Sequence, residues 1–226
     1  MSPKLIIRTF SDDQYCLDKV FYENIYRLRG SKEAKPIIVD IGAHCGYFTF
    51  TALALGAAKV YAFEPFAENY KILLQNIPES MGKVIPHQIG VYPMEEIISF
   101  LKPELTKDKM FNFSNPTLTI AGTTEYSAPF YPLGKLINIF VKEHVDILKF
   151  SIGYSDIEIF KNPKLEKVTS ICGESKFVGE QWETFKNTVT SKGFTSSHVQ
   201  PLKMEGENNF LFWFSRKDVK EVFKIE

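Results

Sequence analysis

Neither sign of charge is in excess in this chain: 226 residues carry 27 Lys plus Arg against 27 Asp plus Glu. A protein that grips nucleic acid usually presents a basic face, so no nucleic-acid partner is expected. Cysteine is scarce. Cys16, Cys45 and Cys172 are odd in number and share no C-x-x-C spacing, which argues against a disulfide framework and a thiolate zinc site. The four histidines are scattered without ligand spacing, so no metal is expected. No apolar run reaches the length of a membrane span. The opening MSPKLIIRTF lacks the apolar core of a signal peptide. A soluble, cytoplasmic protein without a membrane partner is expected. Repeats, low-complexity tracts and interdomain linkers are also missing.

What is present is a large apolar fraction, 44%, with 20 Phe and 10 Tyr. That is enough for one sizeable core. The chain is organised around Lys35 to Pro65. Pro36 to Asp40 is a short β-branched run with the character of a buried strand. A loop with Gly42 and Gly46 follows. Tyr47 to Leu55 has the length of a helix, which Gly56 stops. Lys59 to Phe63 is a second strand and ends on Glu64. This βαβ unit has its acids and glycines at the strand ends, where open α/β sheets bind ligands.

The residue types suggest the ligand. Gly42 lets the chain turn sharply and approach a ligand closely. The helix start offers unpaired N–H groups. Asp40 can accept from a cationic amine, and Glu64 can accept from a ribose diol. S-adenosylmethionine has both an ammonium and a ribose. A dinucleotide fits less well: counted from Gly42, its G-x-G-x-x-G fingerprint needs glycines where His44 and Tyr47 stand. Cys45 reads as a small side chain tucked under the loop, with a nucleophile as the alternative.

Along the chain, Lys4 to Phe10 is predicted as an edge strand and Asp18 to Leu28 as a helix. This lead-in, residues 1–34, either walls the cofactor cleft or only covers the sheet edge; residues 35–226 form the main domain. Ala67 to Ile77 is predicted as a helix, with Asn69 in its first turn. Lys83 to Tyr92 is predicted as the third strand; in folds of this type the residues at its end flank the adenine ring, with Gln88 and Ile89 as candidates. Glu95 to Leu101 is a further strand. Lys102 to Pro132 is the least regular segment, with Thr117 to Ala121 as a short strand; its aromatic residues either stack on an acceptor or pack on the surface. Lys135 to Lys142 is a helix, Asp146 to Phe150 the fourth central strand, and Ile157 to Phe160 starts a helix. Val168 to Ile171 is the fifth strand. Gln181 to Lys192 is helical, and Phe194 to Val199 and Asn209 to Ser215 form an antiparallel pair. The predicted fold is α/β: a seven-stranded, mostly parallel sheet flanked by helices.

VDIGAHCGYFTFTAL followed by GAAKVYAFEPFAENYKILLQNI resembles the FkbM family of S-adenosylmethionine-dependent methyltransferases, whose motifs read D-[IV]-G-A-N-x-G and A-F-E-P-x-x-x-N. Asp40, Gly42, Ala43, Gly46, Glu64, Pro65 and Asn69 match, and His44 stands where asparagine is usual. The resemblance implies a Rossmann-like class I methyltransferase fold and S-adenosylmethionine as cofactor. It implies O-methylation of a hydroxyl on a small molecule or glycan. The cofactor-binding residues it implies are Asp40, Gly42, Ala43, His44, Gly46, Glu64, Pro65, Asn69 and Gln88.

The match breaks at the fourth strand. The family stretch L-K-[IV]-D-[IV]-E-G-x-E corresponds here to LKFSIGYSDIEIF. Leu148 and Lys149 match, but Ser151 replaces the aspartate, Gly153 the glutamate and Tyr154 the glycine. Asp156 and Glu158 restore acidity further along. Two readings stay open. In one, Ser151, Tyr154 and Asp156 form a different catalytic set, with His87, His198 and Glu174 as other candidate bases. In the other, the chain is a catalytically impaired cofactor-binding module with a regulatory or scaffold role.

Overall fold

The expected strand at Pro36 to Asp40 forms at Ile37–Ile41 (β1) and is flanked on both sides by parallel neighbours. In the computed structural model, residues 5–29, 35–77, 82–100, 118–119, 126–152, 156–177, 180–204 and 207–216 are described. The chain begins with a short helix α1 (Asp13–Leu17) that runs into a π turn at Asp18–Tyr22. After β1 come α2 (Tyr47–Ala54), β2 (Lys59–Phe63), α3 (Ala67–Asn76) and β3 (Val84–His87). Four short strands follow: β4 (Gly90–Val91), β5 (Glu96–Phe100), β6 (Leu118–Thr119) and β7 (Tyr126–Tyr131). The second half is α4 (Leu133–Phe140), β8 (Val145–Phe150), α5 (Asp156–Lys161), β9 (Val168–Lys176), α6 (Gln181–Thr190), β10 (Phe194–Met204) and β11 (Glu207–Arg216).

The main sheet has seven strands in the order β10-β11-β9-β8-β1-β2-β3. All neighbours from β9 to β3 are parallel, and β11 runs antiparallel between β9 and β10. Alternate residues of a strand face opposite sides, and the two faces differ in chemistry. One carries Val39, Ile41, Leu148, Phe150 and Ile171 and packs on Leu136 and Ile137 of α4, Phe160 of α5 and Phe185 of α6. The rings of Phe150, Phe160, Phe185 and Phe212 meet at 4.9–5.4 Å between centroids. Each such buried ring stabilises the fold by about 1.5–3 kcal/mol. The aromatic excess of the sequence goes largely into this layer.

The other face carries Ile38, Ile147, Cys172, Leu211 and Trp213 beneath α2 and the lead-in, with Tyr26, Leu28 and Phe48 against them. A polar row crosses it: Asp40 pairs in register with Lys149, and Lys149 with Cys172.

Three expectations need correction. Of the strand expected at Lys4 to Phe10, the described residues 5–10 form none: the Ile6 amide donates to the Asn76 side chain at 2.7 Å, and the Ile6 carbonyl accepts from Tyr47 Oη at 3.1 Å. These side chains satisfy backbone groups that a sheet neighbour would otherwise take. The helix expected over Asp18 to Leu28 ends at Tyr22, because Asn24 and Arg27 adopt positive φ of 46° and 47°. The Asn24 side chain then closes the turn through both backbone groups of Leu28. Lys83 to Tyr92 is two strands, not one, and β4 belongs to a second sheet ordered β4-β7-β5-β6. Much of Lys102 to Pro132 lies outside the described residues, but Leu118–Thr119 and Tyr126–Tyr131 are strands of that sheet. No helix among the described residues is long and apolar enough to cross a membrane.

Candidate functional site

The loop from Gly42 to Gly46 joins the end of β1 to α2. Its amides at Gly42 and Ala43 both donate to the Phe63 carbonyl at 3.0 Å, tying the loop to β2. Gly42 has φ +74°, and a Cβ there would sit 1.9 Å from the Ser151 carbonyl oxygen. The position therefore excludes any side chain on both backbone and steric grounds. Ala43 is buried against Ala62 and Leu73. His44 adopts φ +53°, a region that asparagine and histidine enter more readily than most residues. His44 can thus serve the backbone where the resembling family has asparagine. Gly46, at φ +84°, caps α2.

Asp40 is fully buried. Its Oδ2 accepts from Thr49 Oγ1 at 2.7 Å, and its Oδ1 lies 2.9 Å from Lys149 Nζ. That contact is an ion pair without hydrogen-bond geometry, so Oδ1 has no hydrogen-bond donor. Lys149 also donates to the carbonyls of Gly42 at 2.7 Å and Ile41 at 3.3 Å. Its ammonium lies 5.8 Å from the Tyr26 ring centroid and 5.5 Å from that of Phe48, a cation–π arrangement. The cationic amine beside Asp40 is thus the chain's own.

Glu64 follows β2. Its Oε2 accepts from the His44 amide at 2.8 Å, and its Oε1 accepts from the Phe66 amide at 3.0 Å and Asn69 Nδ2 at 3.3 Å. Burial pushes its pKa up to about 7, against the opposing pull of those donors. Pro65 continues the same turn, and Gln88 follows β3 at the same rim of the sheet.

The lead-in closes over this loop. Arg8 binds Asp13 through Nε at 2.9 Å and Nη2 at 2.6 Å, and the same Nη2 lies 3.1 Å from Cys45 Sγ and 3.4 Å from His44 Nε2. Burial lowers the His44 pKa to about 4 against the nearby carboxylates of Asp12 and Asp13, so the ring is neutral at pH 7. Its Nδ1 is buried with no hydrogen-bond partner. Burial raises the Cys45 thiol, and Cys45 is not an activated nucleophile. Two three-donor groups arise here, Asp12–Cys16–His44 and Asp13–His44–Cys45, with donor atoms within 4.8 Å of one another. Their spacing is invisible in sequence because His44 is distant from the acids. Arg8 already supplies a cation to the second group.

Ser151 lies just past β8. Its amide donates to the Ile41 carbonyl at 3.1 Å. Tyr154 lies outside the described residues, and Asp156 opens α5. The other candidate bases separate by position. The His87 ring stacks on Phe63 at 4.9 Å and meets Phe140 at 4.8 Å, in the aromatic layer on the far face. His198 lies on edge strand β10, in register with Trp213. That is three strands from β8, about 14 Å at ~4.8 Å per strand. Glu174 sits in β9, next to β8. Sequence reasoning gave no functional weight to Arg8, Asp13, Tyr26 or Thr49, and Lys149 was marked only by its place in the L-K pair.

The strand order and the glycine loop at the end of β1 define a Rossmann-like, class I methyltransferase fold. No protein-family model and no curated protein matches the chain. Solved structures do share the fold. TrmK of M. capricolum, in complex with S-adenosylhomocysteine, is 12% identical with a TM-score of 0.54, over 88% of this chain and 70% of that one. The ribosomal protein L11 methylase of Lactobacillus delbrueckii subsp. bulgaricus is 12% identical with a TM-score of 0.54, over 90% and 79%. P. horikoshii TYW2, in complex with MeSAdo, is 14% identical with a TM-score of 0.52, over 95% and 65%.

Proposed function

We propose that this chain is an S-adenosylmethionine-dependent methyltransferase that methylates a hydroxyl of a small molecule or glycan. The observation that carries the reading is the contact between the glycine loop and the acid of the next strand, His44 amide to Glu64 Oε2 at 2.8 Å. A ligand lying across the loop meets that carboxylate. The residues present fit the cofactor. Glu64 keeps lone pairs for a ribose diol. The first amides of α2, from Tyr47 to Thr49, have no intrahelical acceptor. His44 Nδ1 is a buried ring nitrogen without a hydrogen-bond partner among the described residues. Asp40 acts in this reading through Lys149 and Thr49, which fix the loop around the ligand. Gly42, Ala43 and Gly46 give the loop its close approach, Pro65 and Asn69 set Glu64, and Gln88 borders the adenine. The FkbM resemblance supports a hydroxyl acceptor, and the balanced charge of the chain favours a small acceptor over nucleic acid.

When bound, the cofactor supplies an electrophilic methyl group. The protein then has mainly to align an acceptor with it. Ser151, with its carbonyl against Gly42, borders that position. In this reading the lead-in walls the cleft, with the Arg8–Asp13 pair as the clasp on the loop.

The test is adenosylhomocysteine release over a panel of alcohols, phenols, glycans and RNA. Turnover is expected with at least one hydroxyl acceptor and loss of about tenfold or more with Glu64→Ala, the scale of a hydrogen bond to a charged group. Normal cofactor binding with no turnover by wild type or Ser151→Asp would instead mark an impaired binding module. Turnover with RNA alone would overturn the acceptor class.

A further inference from the structure

The missing family acid at the fourth strand has a neighbour that can replace it. On the face beneath the lead-in, Asp40, Lys149 and Cys172 lie in one register row across β1, β8 and β9. Two residues further along each chain, on the same side, come Gly42, Ser151 and Glu174. The register pair Phe150 with Gly173 puts Ser151 and Glu174 one step past the end of β8, at the same height. The loop touches this row directly, because the Ser151 carbonyl fills the space beside Gly42. Ser151 and Glu174 therefore border the end of the glycine loop from adjacent strands.

The Glu174 side chain is only partly covered, whereas Cys172 and Ser175 beside it are buried. Burial raises its pKa, against the attraction of Lys149 on β8 and Lys19 in the π turn. Tyr15 of α1 and Tyr26 of the lead-in also feel its charge. Lys149 is committed to Asp40 and the loop carbonyls, and Lys19 to Glu23 at 2.7 Å. Glu174 is thus a carboxylate one step past the end of β8, with a raised proton affinity and no close salt bridge among the described residues. Those are the properties of a general base. It is flanked across the strand by Ser151, which the sequence reading offered for chemistry.

The geometry points to Glu174 as the base that takes the proton from the methyl acceptor, a role that rests on the methyltransferase reading above. The step balances. The acceptor O–H proton passes to the Glu174 carboxylate. The acceptor oxygen forms a bond to the methyl carbon as the methyl–sulfur bond breaks, and that electron pair stays on sulfur. Nothing is oxidised or reduced. The acceptor class is then an alcohol or phenol that needs a base, and the relocated acid explains how Ser151 can stand where the resembling family has aspartate.

The test needs no natural acceptor. A 5′-aziridinyl adenosine analogue of the cofactor carries an electrophilic carbon in place of the methyl group and alkylates the nucleophile that faces it. After incubation with the full chain, peptide mass mapping locates the adduct. The expected result is one adduct on Glu174, suppressed by excess adenosylhomocysteine and missing in Glu174→Gln. An adduct on another residue, or none although adenosylhomocysteine binds by calorimetry, overturns the role of Glu174 while leaving the cofactor reading intact. If adenosylhomocysteine itself does not bind, the cofactor reading falls, and the role of Glu174 falls with it.

Discussion

Lys149 does more for the site than any residue at the loop's own positions. Its ammonium is buried among Asp40, the Gly42 carbonyl and two aromatic rings. Removing one partner of a buried pair leaves an uncompensated charge, at a cost of about 3–5 kcal/mol. Lys149→Met is therefore expected to lower stability in urea by about that amount, and adding Asp40→Asn should recover part of it. A loss below about 1 kcal/mol would contradict the assignment. Glu64 makes a pH-dependent contribution of the opposite sense to an ordinary carboxylate. Its folded pKa is raised from 4.5 to about 7, so the folded chain holds the proton more tightly than the unfolded one. Ligand-free stability should fall as pH rises from about 4.5 to about 7, then level. Glu64→Gln should lack that slope in urea midpoints taken across this range. The acids at positions 40 and 64 were legible because each stands at or next to the end of a short apolar strand. The partner of Asp40 was not, because 109 residues separate it from Lys149 and only the sheet brings them together.

At the scale of elements, the βαβ unit was legible and the lead-in was not. Periodicity finds β1, α2, β2 and α3 to within a residue or two because their own side chains decide their burial. The lead-in takes its shape from distant groups, Asn76, Tyr47, Cys45 and His44, which a local pattern does not contain. β7 hides for a different reason: Pro129, which lacks an amide donor, sits opposite Ile97 inside the strand. The Arg8–Asp13 clasp should carry the stability of the lead-in. Burial alone would raise the Asp13 pKa, but hydrogen bonds from the Arg8 side chain and backbone outweigh it and lower the pKa below 3.8. That stabilisation is present above the unfolded value and is lost as pH falls through the folded one. Asp13→Asn should cost about 1–3 kcal/mol near pH 6. The gap between variant and wild-type urea midpoints should close as pH drops below about 3.8. A gap that stays constant with pH would show that the clasp is not charged.

At the scale of the whole molecule, the seven-stranded, mostly parallel sheet agrees with the sequence expectation. The central parallel strands β1, β2 and β8 are buried along nearly their whole length and carry mainly apolar residues, which is how such strands announce themselves. Two strands of the second sheet, β5 and β6, were expected at Glu95 to Leu101 and Thr117 to Ala121, but their assembly was not legible because its pairs join residues far apart in sequence. Helices α4, α5 and α6 close one apolar, aromatic face, and α2 with the lead-in closes a second apolar face that the Asp40–Lys149 pair crosses. The proposed cofactor site lies on that second face, where β1 and β8 give way to Gly42 and Ser151 beside Glu174 of β9. The most direct measurement of that account is calorimetric titration of the full chain with adenosylhomocysteine and, in parallel, with NAD. The account predicts saturable one-site binding of adenosylhomocysteine, weakened at least tenfold by Glu64→Ala, and no binding of NAD. Binding of NAD in place of adenosylhomocysteine, or equal adenosylhomocysteine affinity in wild type and Glu64→Ala, would contradict it.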